Sequence, residues 1–289
     1  PLGGAPNVTQ SPETPAAQTE PQPTSDNPDP REYVDRWSDL RALMPDNVDM
    51  NTRIDIADEW VETQGANTGH EYIAVLAGDG SLMGAGTTSS RNSVDMSAAV
   101  IDRLDDPDAR MIVTHNHPTG RALSTQDIAM LAYPGLASVR ARGSGGNSEA
   151  SLGVEGRKLV SERSVEYAQA VLRYAADKIG RNLQTGPLFG AAIRGDIDTP
   201  RVEFYMPDII MRVLNDVGLI DYSPQNLNET VKSPYIIAAM RAAAKDIADR
   251  IGSTAGKGFD DADVRRSSSL RDEPRGDGEV QSRTQGPPT

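Results

Sequence analysis

Residues 111–128 read MIVTHNHPTGRALSTQDI, and the way this stretch divides decides the fold. Met111-Ile112-Val113-Thr114 is a short apolar run, read as a buried strand that ends on His115. Pro118 biases His117 towards an extended backbone, in keeping with a strand end. From about Ser124 to Tyr133 the periodicity predicts a helix, and Ser124-Thr125-Gln126-Asp127 at its start is an ordinary capping-box pattern. Residues two apart on an extended segment project to the same face, so the imidazoles of His115 and His117 point the same way. With Asp127 on the next helix they form a set of two nitrogens and one carboxylate. A catalytic zinc uses such a set and keeps a fourth position for water. Each part has a plainer reading as well, since a strand-end histidine is commonly structural and Ser124 and Asp127 can serve only as a cap. The two roles are compatible, because a first-turn Ser and Asp can cap a helix while facing a metal.

Outward from this stretch, Glu71 to Ala77 reads as a strand, Gly78-Asp79-Gly80 as a tight turn and Ser81 to Gly84 as the returning strand. Val94 to Leu104 has an apolar face at helical spacing. Ala137 to Arg142 and Glu149 to Leu152 read as two strands bridged by the glycine-rich Gly143 to Asn147. The succession strand–helix–strand–helix–hairpin within about 90 residues implies a compact α/β domain. Tyr33, Trp37, Leu40 and Leu43, then Ile54, Ile56, Trp60 and Val61, predict two short helices, a helical lead-in over residues 31–68. Past Arg157 the pattern is helical: Ser164 to Ile179, Pro207 to Val217 with Gly218 as a stop, and Pro234 to Ile251. Residues 157–252 are therefore expected to form a helical domain or extension.

Composition bounds the rest. The chain has 289 residues, a net charge of −13 and no cysteine. The charge has the wrong sign for a general nucleic-acid binder or a polybasic membrane-surface protein, so no nucleic-acid and no membrane partner is expected. Absence of cysteine excludes disulfide scaffolds, thiolate metal sites and cysteine nucleophiles. No apolar run approaches a membrane span and no signal peptide is visible, which sets the expectation of a cytoplasmic protein. Because the sequence starts on Pro1 rather than methionine, a processed product or a piece of something larger is also expected. Eight of the twenty prolines fall in residues 1–30, and residues 253–289 are polar and charged. Both ends are expected to be disordered tails, because they cannot bury enough apolar surface to offset the entropy of ordering.

The segment HNHPTGRALSTQDI resembles the signature of the JAB/MPN/JAMM zinc metalloproteases, in which an upstream Glu precedes His-x-His and then a Ser and an Asp near a helix start. Pro-Thr-Gly after the histidines is similar to the RadC-like, phage-associated and polymorphic-toxin branch. Six residues separate His117 from Ser124, one fewer than in the eukaryotic deubiquitinase pattern. Glu71, 44 residues before His115, stands where the family places its glutamate. The resemblance spans about Gly69 to Gly156, and it implies an α/β, JAB/MPN-like, deaminase-like fold over residues 69–156, a compact mixed sheet flanked by helices. It also implies roles: His115, His117 and Asp127 as ligands of Zn²⁺, Glu71 as general base, and Ser124 as a hydrogen-bond donor to the oxyanion. The expected reaction is hydrolysis of an amide or isopeptide bond in a protein or peptide, with the Gly-Gly tail of a ubiquitin-like protein as one candidate.

Other features point nowhere further. His70 neighbours Glu71 on the strand and so faces away from it, which argues against a fourth ligand. Gly78 to Gly84 is not followed by a helix and reads as a hairpin turn rather than a nucleotide loop. The letters HNH do not indicate a nuclease, because that motif is dispersed over a ββα element and this chain offers no basic platform. An amidohydrolase barrel using His-x-His would need eight βα units, which the pattern does not supply. The competing reading is a non-catalytic JAB-like interaction or scaffold module, for which a glutamate at position 71 has no chemical use.

Overall fold

Alternation within the apolar strands builds the centre of the molecule. The computed structural model describes residues 33–88, 96–143, 146–225 and 232–254. Its elements are β1 (Val34–Asp35), α1 (Trp37–Arg41), α2 (Met50–Thr68), β2 (Tyr72–Leu76), β3 (Leu82–Thr87), α3 (Ala98–Ile101), β4 (Met111–Asn116) and α4 (Thr125–Met130). There follow β5 (Leu136–Arg142), β6 (Asn147–Leu152), α5 (Val154–Glu162), α6 (Val165–Thr185), α7 (Pro187–Ile193), α8 (Thr199–Asp216), β7 (Ile220–Gln225) and α9 (Pro234–Thr254). The seven strands form one mixed sheet in the order β1-β3-β2-β4-β5-β6-β7. β4 and β5 run parallel, and every other neighbouring pair is antiparallel.

All five residues of β2 are buried, as a strand covered on both faces requires. Tyr72, Ala74 and Leu76 pack with Leu40 of α1 and with Ala57, Trp60 and Val61 of α2. Ile73 and Val75 face the other way, into a larger core with Met111, Val113, Ile128, Leu131, Leu172 and Ile179. α2 is also anchored electrostatically. Its buried Asp58 accepts from Thr114 Oγ1 at 2.6 Å and Arg140 Nη2 at 2.8 Å, and it pairs with Arg142. Arg140 reaches Glu149 as well. This ionic cluster ties the backs of β4, β5 and β6 to one helix.

Several expected boundaries move, each for a local reason. The lead-in over 31–68 contains the strand β1, and its second helix is 19 residues long, started by Asp49, whose side chain accepts from Thr52 N at 3.0 Å. The helix expected from Val94 to Leu104 has only the turn α3, continued by the loose contact Leu104 N to Ile101 O; residues 89–95 lie outside the described segments. α4 ends at Met130 rather than Tyr133, its last residues closing as single turns. The β2–β3 turn is sharp because Gly80 takes φ +84°, a left-handed conformation that costs glycine little.

The largest corrections fall after residue 157. α6 runs past Ile179 to Thr185, and α5 and α7 were not foreseen. α8 begins at Thr199 rather than Pro207, because Asp198 caps it by accepting from Arg201 N, and Pro207 sits inside it. Burial of Ile209, Met211, Val213 and Leu214 outweighs the backbone hydrogen bond that an interior proline removes. The region is also not purely helical. β7 pairs with β6 along its whole length, and Met211, Leu214, Ile236 and Ile247 belong to the same core cluster as Val113 and Ile128. The expected tails, residues 1–30 and 253–289, lie outside the described residues except for the end of α9.

Candidate metal centre

The site forms where β4 leaves the sheet. Period-two alternation sends Thr114 and Asn116 towards α2 and sends His115 towards α4. His117, one residue past the strand, returns to the same side as His115, and their Nε2 atoms approach to 2.9 Å. Each ring is thus aimed at a common point. His117 N donates to Arg142 O at 2.7 Å, which holds the strand end against β5. His117 Nδ1 lies 2.9 Å from Arg121 O. A carbonyl can only accept, so Nδ1 carries the proton and Nε2 is left to face the site. Hydrogen bonding of this kind at the far ring nitrogen orients metal-binding histidines.

Asp127 arrives from the first turn of α4. Ser124 is the N-cap: its Oγ accepts from Asp127 N at 3.3 Å, and Asp127 Oδ2 accepts from Ser124 N at 2.6 Å. The capping box therefore holds the carboxylate in place while Oδ1 lies 3.3 Å from His115 Nε2 and Oδ2 lies 3.5 Å from His117 Nε2. Glu71 immediately precedes β2 rather than lying within it. Its Oε1 is 3.9 Å from His115 Nε2 and 3.6 Å from His117 Nε2.

These separations have chemical meaning. A tetrahedral ion with nitrogen and oxygen ligands at ~2.0–2.1 Å has ligand-to-ligand edges of about 3.3 Å. The two histidines and Asp127 lie near that spacing, and Glu71 stands a few tenths of an ångström further out. Glu71, His115 and His117 could hold a metal ion, since one ligand atom from each falls within 4.8 Å of the others. The donor set fits a divalent cation on a second count: Glu71 Oε2 is buried with no hydrogen-bond partner, a costly arrangement for a protein oxygen with nothing to bind.

The charges of the site are strongly coupled. Burial pushes the Glu71 carboxyl above its ordinary range; His115 and His117 oppose this, and Asp127 adds to it. Burial alone would lower His117, yet its contacts with Asp127, the charge of Glu71 and the Arg121 carbonyl together push it up to about 9. Burial would likewise raise Asp127, but the two histidines hold it well below the carboxylate range. A metal-free site thus keeps a proton on His117 at neutral pH, in the place where a cation would otherwise supply positive charge.

A cleft of about 1040 Å³ opens over these groups. Its lining includes the apolar Ile73, Leu104, Val113 and Met130 and the polar Arg121 and Gln126. Compared with family models, curated proteins and solved structures, the chain matches none.

The structure brings Glu71, His115, His117, Ser124 and Asp127 together. His70 stays outside the group, with its carbonyl turned towards Asn116 Nδ2. Sequence reasoning missed the Arg121 carbonyl and the side chains of Asn116 and Thr87. The first is a backbone atom, which carries no residue signal. Asn116 and Thr87 act on partners far away in the chain, so spacing could not find them. No helix among the described residues is long and apolar enough to cross a membrane.

Proposed function

We propose that the chain is a zinc-dependent hydrolase of peptide or isopeptide bonds with a JAB/MPN-like catalytic centre, acting on a protein or peptide substrate. One observation carries this reading. A buried carboxylate, Glu71, stands further from the two histidine Nε2 atoms than Asp127 does, with one oxygen unpartnered. A site that only held a metal for stability would be closed by its fourth protein ligand.

In this reading His115, His117 and Asp127 hold the zinc and Glu71 does not. Zinc held by them would supply a Lewis acid for the scissile carbonyl and a water with its pKa lowered to roughly 7. Glu71 takes the proton of the attacking water, its basicity raised by burial, and returns the proton to the leaving amine. Ser124 already spends one lone pair on Asp127 N, which leaves its O–H to donate to the oxygen that gains charge. The capping box and the Arg121 carbonyl keep the ligands from reorganising. The apolar lining residues of the cleft offer a surface for the side chains of a polypeptide substrate.

The test is zinc content by mass spectrometry for the wild type and His117→Ala, paired with hydrolysis of quenched fluorescent peptides and of a ubiquitin-like protein fused through its C-terminal Gly-Gly. One zinc per chain, lost in His117→Ala, with cleavage abolished in Glu71→Gln, is the expected outcome. Zinc uptake without hydrolysis of any probe would favour the interaction-module reading. Failure to take up zinc at all would overturn the proposal.

A further inference from the structure

Glu71 has to stand at a fixed distance from the two histidines, yet it belongs to no strand and its carboxylate makes no hydrogen bond that would hold it from the front. What holds it lies behind it. The β2–β4 ladder stops at the pair Ile73–His115, and one step further Asn116 takes over with its side chain. Its Oδ1 accepts from Tyr72 N at 2.7 Å and its Nδ2 donates to His70 O at 3.1 Å. The amide therefore grips the residues on both sides of Glu71. Thr87 Oγ1 completes the hold by donating to Glu71 O at 2.7 Å. Asn116 is itself buried, at 3% exposure, and sits between His115 and His117, so the element that aims the histidines also aims the glutamate.

Helix α2 makes room for this arrangement. A Cβ on Gly65 would fall 1.9 Å from Asn116 Nδ2 and 2.4 Å from its Cγ. A glycine inside a helix is unfavourable relative to alanine, so this position gives up helix stability for the space the amide occupies.

We propose that Asn116 is a positioning residue for the hydrolytic reaction: it sets the Glu71 carboxylate over the metal centre by clamping His70 O and Tyr72 N, and Gly65 is the space reserved for it. This rests on the reading of Glu71 as general base. Asn116 does not touch substrate or metal, and its effect on rate passes through Glu71.

Three variants separate positioning from simple support: Asn116→Ala, Gly65→Ala and the two combined. Gly65→Ala alone drives a methyl into the amide and lowers the melting temperature. In the double variant the clash is gone, so stability recovers at least to the level of Asn116→Ala, whereas the clamp stays absent. Hydrolysis of quenched fluorescent peptides should then fall about 100-fold in kcat for both Asn116→Ala and the double variant, a size typical of losing general base catalysis. KM and zinc content should be unchanged. Amide exchange at Tyr72, measured on the zinc-free protein, should accelerate in both because its acceptor has been removed. Wild-type kcat in the stable double variant, or unchanged exchange at Tyr72, would overturn the positioning role while Glu71→Gln remained inactive. An active Glu71→Gln, or a zinc-loaded wild type that cleaves no peptide, would instead overturn the reading of Glu71 on which it rests.

Discussion

Replacing Asp58 by alanine removes the acceptor at the centre of the ionic cluster behind the site. Asp58 is 5% exposed and takes hydrogen bonds from Thr114 and Arg140, with Arg142 paired to it as well. Arg140 would keep Glu149, and Arg142, itself buried, would lose the Asp58 carboxylate while the charges of Glu149 and Asp55 remain near it. Breaking a buried ion pair from one side costs about 3–5 kcal/mol, because the remaining charge is left in a poorly solvated place. The Thr114 hydroxyl adds about 1 kcal/mol. Domains are stable by only ~5–15 kcal/mol, so the loss is a large fraction of the total. With a urea m-value of about 2 kcal/mol per molar, the unfolding midpoint should drop by roughly 2 M. Asp58→Asn keeps the shape and one acceptor oxygen, and its drop should be smaller. Urea titrations followed by far-UV circular dichroism measure both. A midpoint shift under 0.5 M for Asp58→Ala, on the scale of about 1 kcal/mol, would show that the two arginines re-solvate on substitution, and the argument for an anchored α2 would fail.

Other expectations follow from the front of the sheet. Ser124→Ala should lower kcat by roughly 10²–10³-fold, the usual loss for one oxyanion donor, and stability by about 1 kcal/mol for the missing cap; zinc stoichiometry should stay near one, and steady-state kinetics beside thermal melts check both. His117 is raised to about 9 in the folded, zinc-free protein from roughly 6.5 when unfolded. Its contribution to stability is thus fully present below about pH 6.5 and is lost as pH rises through 9. Denaturant midpoints of the chelator-treated protein should reflect that decline, and His117→Gln should flatten it. The same proton competes with zinc, so apparent affinity measured against a chromophoric chelator should weaken about tenfold per pH unit below pH 9; no dependence on pH between 7 and 8 would contradict the protonated state of the free site. Zinc at 100 times its dissociation constant should raise stability by about 2.7 kcal/mol, read as a higher melting temperature that chelation reverses.

The parts of the site legible in the sequence are those written into short spans. His115 and His117 share a face because of strand periodicity alone, and Ser124 with Asp127 follows from helix capping. The adjoining strands were legible for the same reason, since β2 and β4 begin as short apolar runs and β5 alternates Ala137, Val139 and Ala141 with polar residues. β7 was not, because Ile220-Asp221-Tyr222-Ser223-Pro224-Gln225 carries a proline and polar side chains. Such a segment is a strand only as the outermost member of a sheet, and only its partner β6 reveals that. Pro207 misled in the opposite way: local preference ends a helix there, whereas the buried residues after it in α8 hold the helix together. Asn116 was in plain view between the two histidines, but its partners, His70 and Tyr72, lie 46 and 44 residues away, and Gly65 gains its meaning only once α2 is laid across the sheet.

The chain positions of the site groups also set an order of assembly. His115, His117 and Asp127 lie within residues 115–127, whereas Glu71 lies 44 residues before His115. Closing the longer loop costs about 1 kcal/mol more than closing the shorter one, and contacts of long sequence separation slow folding. A growing or refolding chain therefore has a route by which it gathers the three ligands first and the base last. Along that route, on the proposed function, the ligands would meet before Glu71 joins them, and the site would be complete only when the hairpin of β2 and β3 docks. On the proposed function, such an order would make docking of that hairpin, rather than uptake of the ion, the event that completes the centre.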